Sequence, residues 1–198
     1  MDLDMLLQSR EHPDSFAETL TASDVEALAP LLAEQNDDLR YCAFLALQAR
    51  SRISSGVYPY WERFAAMLEE PNSYRRNVAL RLLAENVRWD REKKFSALFS
   101  QWMAHCQDEK FVTCRQALQS IPIWAPHAPE LAEETAKQLM EINLSAFRDS
   151  QQKLILTDIL EALSALRPYF SSPETEEYFA AALERGLLDK KTRKRFSS

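Results

Sequence analysis

The chain has 198 residues, is 46% hydrophobic and 27% charged, and carries a formal charge of −6. That apolar content can bury a core, while the acidic balance disfavours nucleic acid unless basic residues cluster. Gly56 and Gly186 are the only glycines, which argues against tight hairpins and phosphate-cradling loops.

No apolar run approaches the roughly 18 residues of a membrane span. The segment Met1 to Arg10 carries Asp2 and Asp4 and no basic start, unlike a signal peptide. Cys42, Cys106 and Cys114 form no CxxC pair. Their spacing suits reduced thiols, so a cytoplasmic location is expected.

Residues 1–22 are expected to form an N-terminal cap or loose segment. A helix is predicted over 23–34, with Val25, Leu28, Leu31 and Leu32 on one face and Ser23 with Glu26 as a capping box. The next, 37–52, places Leu39, Ala43 and Leu47 on one face. Thirty-six residues on, helices 59–69 and 73–88 repeat the pair. Trp61, Phe64, Met67 and Leu68 continue the first series, Ala79 and Leu83 the second, and Arg76 follows Arg40. Helices 91–106 and 110–120 supply Phe99, Trp102 and Met103, then Cys114 and Leu118. Helix 130–142 supplies Ala136, Leu139 and Met140, and helix 151–166 supplies Leu154, Ile155, Ile159, Leu163 and Leu166. A last helix over 174–186 precedes a basic tail, 187–198. Gly56 with Pro59, Pro71, Pro122 to Pro129, Pro168 and Pro173 punctuate the pattern.

Each pair is too small to bury both its faces, so neighbours must stack. The expected fold is all-α: an α-α superhelix, a HEAT/ARM-like solenoid of about four helix pairs plus a C-terminal helix. It forms one domain over 1–198, and the Pro-rich stretch 121–129 sets a local bend.

The pattern Leu39-Arg40-x-x-Ala43-x-x-x-Leu47 resembles the second helix of a HEAT-like repeat. Three further stretches are Asp108-Glu-Lys-Phe-Val-Thr-Cys-Arg-Gln-Ala-Leu-Gln-Ser120, Leu154-Ile-Leu-Thr-Asp-Ile-Leu-Glu-Ala-Leu163 and Asp189-Lys-Lys-Thr-Arg-Lys194. Together they resemble a family of bacterial HEAT-like proteins often labelled SufBD-like. The resemblance covers roughly residues 23–195 and implies a fold, not an activity. The iron–sulfur chemistry behind that label is not implied, because cluster ligation needs several converging cysteines.

His105, Cys106 and Cys114 are soft ligands in the same region, but His105 and Cys106 point about 100° apart on a helix. No metal and no cofactor is expected. Asp158 interrupts an apolar helix and needs a partner if buried. Arg115, on the preceding second helix, is the expected structural ion-pair partner. Trp61 and Trp102 fall on core stripes, and Trp89 and Trp124 are expected half-buried at helix ends.

Basic residues concentrate between Arg75 and Lys94 and in the tail from Lys190 to Arg195. In a HEAT-like array the second helices line the concave face. The repeat register there presents Tyr41, Leu45, Gln48, Arg52, Asn77, Arg81, Arg88, Gln116 and Gln119. Arg52, Arg81 and Arg88 are expected to form one basic strip, unless nearby Glu85 neutralises it. The expected function is therefore non-catalytic binding of a protein partner with an acidic segment, with no membrane involvement. A nucleic-acid-binding module and a repair-type glycosylase-like enzyme are the competing readings.

Overall fold

The computed structural model describes residues 1–196. The chain is all-helical, with 81% helix and no strand among the described residues. Its contacts divide it into two compact units, Met1–Trp102 and Met103–Ser198. The division falls inside a helix, not in the Pro-rich stretch.

In the first unit, α1 (Leu3–Gln8), α2 (Pro13–Thr19) and α3 (Ala22–Leu31) all pack on the long α4 (Asp37–Ile53). The N-terminal segment is thus ordered as two helices, seated by Leu6 and Ala17, both fully buried. Helix α3 is capped two residues earlier than expected. Thr21 and Asp24 exchange side-chain and backbone hydrogen bonds as the capping box, a sequence match as good as Ser23 with Glu26.

Helices α5 (Trp61–Met67) and α6 (Ser73–Asn86) form the next pair, and α6 packs on α4. Trp61, Phe64, Met67 and Leu68 are buried, as are Ala43, Leu47, Ala79 and Leu83. A 3-10 segment, Ser55–Tyr60, takes the place of the start expected for α5 at residue 59. The following helix, α7 (Lys94–Ala104), starts three residues later than 91. Asp90 decides this: its carboxylate accepts from the backbone N–H groups of Lys94 at 3.0 Å and Phe95 at 2.7 Å, which the first turn of a helix leaves unpaired.

The second unit is built around α10 (Asp149–Leu166), which packs on α8 (Phe111–Trp124), α9 (Ala132–Met140) and α11 (Pro173–Glu184). Helix α8 continues through Pro122, four residues beyond its expected end, because Ile121 and Trp124 extend its buried face. Trp124 is fully buried, not half-buried. Residues 190–196 of the expected tail form α12 (Lys190–Phe196), whose Phe196 meets Phe179 of α11. Ser197 and Ser198 lie outside the described residues.

One regularity sharpens the period. Asn36, Asn72, Asp108 and Asn143 each accept, through a side-chain oxygen, the backbone N–H two residues on. They stand 36, 36 and 35 residues apart. Arg40 and Arg76, each four residues after such a cap, donate back to the carbonyls of Glu34 and Glu70. The two arginine contacts fasten α4 and α6 to the ends of the helices before them.

Candidate functional site

Helices α4 and α6 meet along a polar seam within an apolar core. Its centre is Glu85, whose side chain is almost wholly buried. One carboxylate oxygen accepts from Gln48 Nε2 and from Arg52 Nε, both at 3.2 Å. The other accepts from Arg88 at 3.1 Å. Arg88 also donates to the backbone carbonyls of Glu85 and Arg52 at 3.0 and 3.1 Å, and Arg52 reaches Asp14 at 3.2 Å. One turn further, Asn86 donates to Ser51 Oγ at 2.9 Å and Trp89 donates to the Ser51 carbonyl at 2.6 Å. A buried carboxylate is stable only with such donors around it.

This geometry redistributes the expected strip. Gln48 is 5% exposed, so its amide serves Glu85 and does not face a partner. Arg52 and Arg88 are committed to the same carboxylate, and Arg88 lies beyond α6 in the 3-10 turn Val87–Trp89. Arg81 differs: its guanidinium is half-buried and makes no hydrogen bond or ion pair with any described residue. Burial pushes Arg81 below its usual pKa, Glu85 opposes that shift and Arg52 reinforces it. Asn77, one turn earlier on α6, has a buried Oδ1 with no donor. Tyr41 is exposed, with the Arg10 guanidinium 5.2 Å from its ring centre, and Leu45 is half-buried.

The second unit contains a counterpart. Asp158 on α10 is 3% exposed. It accepts from Arg115 Nε at 2.5 Å and from the terminal guanidinium nitrogen at 3.1 Å, a bidentate pair. Gln119 Nε2 adds a third bond at 3.1 Å. In both units a Gln and an Arg four residues apart grip an acid on the next long helix, so Gln119, like Gln48, is occupied. Gln116 remains half-buried with no side-chain hydrogen bond, and Val112 and Leu154 are exposed. Leu154 therefore leaves the apolar face expected of it.

Glu85, the acid expected to neutralise the strip if any did, does so for Arg52 and Arg88, and its sequence signal is the one that marks Asp158. It is a carboxylate directly after the apolar stretch Leu82 to Ala84, met by Gln48 and Arg52 of α4.

The three cysteines are buried free thiols. Burial raises Cys42, Cys106 and Cys114, the last to about 12, which opposes thiolate chemistry. Cys114 Sγ lies 2.9 Å from the Cys106 carbonyl, and His105 Nδ1 lies 3.0 Å from Asp108. No group of three metal-ligating side chains occurs among the described residues. No helix among them is long and apolar enough to cross a membrane.

No family model matches the chain, and no curated protein matches it. The chain is similar to an engineered protein solved as a Northeast Structural Genomics Consortium target. The TM-score is 0.52 and the identity 16%, over 99% of this chain and 94% of that one. At that identity the likeness is one of fold alone.

Proposed function

We propose that the chain is a HEAT-like repeat protein, an α-α superhelix of the kind the SufBD-like resemblance implies, and that it serves as a non-catalytic scaffold for a protein partner. The equal spacing of Asn36, Asn72, Asp108 and Asn143 supports the repeat reading, as does the recurrence of the Gln–Arg grip. Helical repeats typically recognise partners along the face their second helices share.

The observation that carries the binding reading is on α4 and α6. On these two helices Tyr41 is exposed, and Arg81 and Asn77 keep hydrogen-bonding groups that no described residue uses. Tyr and Arg are favoured interface anchors. The test is affinity capture from the source organism's lysate with the native chain and a Tyr41→Ala, Arg81→Gln variant. Loss of one specific protein with the variant supports the reading, whereas an identical captured set removes this face. Binding to duplex DNA that falls steeply with salt would favour the nucleic-acid alternative.

A further inference from the structure

We infer that Arg81, assisted by Asn77, seats one aspartate or glutamate carboxylate of an acidic protein segment; this rests on the scaffold reading above. A guanidinium offers five N–H donors, and a half-buried one normally finds acceptors. Arg52 and Arg88 show this on the same seam, one holding Glu85 and Asp14 and the other holding Glu85 and two backbone carbonyls. Arg81 lies between them in sequence, feels both Glu85 and Arg52, and holds none of the described residues. Asn77 sits four residues earlier on the same helical face; its Nδ2 hydrogens are further donors, whereas its unpaired Oδ1 is an acceptor and adds nothing to a carboxylate seat.

Charge limits the ligand to a monoanion. Arg52, Arg81 and Arg88 are three cations, and Glu85 and Asp14 are two anions. One positive charge is left, at Arg81, which a monoanionic carboxylate balances. A phosphate dianion would leave the cluster net negative beside a buried glutamate. The planar fork of Arg81 also matches a carboxylate edge in bidentate fashion.

The experiment measures binding of a fluorescent oligoglutamate peptide to the full chain, with inorganic phosphate as competitor. Arg81→Gln should weaken the peptide about tenfold or more, and Arg81→Lys should weaken it less, since charge survives but the fork does not. Arg63→Gln removes an exposed arginine on α5 and should change nothing. Removing an unpaired, partly desolvated cation should also leave the melting temperature unchanged or raised. Peptide binding that is absent, or indifferent to Arg81→Gln, overturns the inference. So does full competition by equimolar phosphate, or a lowered melting temperature in Arg81→Gln, which would show that Arg81 is structurally paired. Lysate capture that still depends on Tyr41 would then leave the scaffold reading standing without this seat.

Discussion

Arg115 and Asp158, 43 residues apart in sequence, meet as a bidentate pair in which the acid is 3% exposed and the arginine side chain 28% exposed. The two partners are therefore not equivalent. Arg115→Ala strands a buried carboxylate and should destabilise the chain by about 3–5 kcal/mol. Asp158→Ala leaves an arginine that can turn to water and should cost about half as much by the same reasoning. Urea denaturation of both variants checks the order. Equal losses would show that the acid is hydrated.

Glu85 has donors from three side chains, so losing one is partly covered by the others. Arg52→Ala and Arg88→Ala should each cost about 1 kcal/mol. The double variant should cost more than their sum by about 1 kcal/mol or more, because only then does the carboxylate lack cations. A double-mutant cycle reads the coupling, and strict additivity would contradict a shared carboxylate.

The buried thiols should make stability fall at high pH. Their folded pKa values are raised, so the thiol form is favoured in the native state. The unfolded state binds fewer protons once the pH exceeds the ordinary thiol value of 9.0. Stability is then fully present below about that pH and declines toward about 12, where Cys114 itself ionises. Chemical denaturation with and without Cys114→Ala should show a shallower alkaline decline in the variant. Thiol labelling of the native chain at neutral pH should follow the rate of opening.

Helix α12 is held by Phe196 against Phe179, by Lys153 with Asp189 at 2.5 Å and by Arg195 with Glu161. Phe196→Asp should release it. Hydrogen exchange should then accelerate at the Arg193 amide, which donates to the Asp189 carbonyl, while amides in α8 and α10 stay protected. Uniform acceleration would mean that α12 is integral to the core of its unit.

Local chemistry determined the helices themselves. Apolar residues at helical spacing, glycine scarcity and the 36-residue shift place the buried faces of α3 to α10, because one face of each helix must leave water. Ala43, Ala79 and Cys114 occupy the small positions by the same rule. The sequence alone also marked Asp158 with Arg115, since an acid within an apolar stripe requires a cation nearby. It carried the evenly spaced Asn36, Asn72, Asp108 and Asn143 as well, but Asn and Asp also favour turns and solvent, so spacing alone did not single them out. Which helix ends prevail was a tertiary matter: Asp90 delayed α7, and buried Trp124 drew α8 past a proline. The arginine face was decided there too. Register placed Arg52, Arg81 and Arg88 on one side of α4 and α6, yet a long flexible arginine goes to whichever acceptor the packed neighbours expose. Buried Glu85 drew in Arg52 and Arg88 and left Arg81 without an acceptor. Only the assembled seam could separate the two engaged cations from the free one.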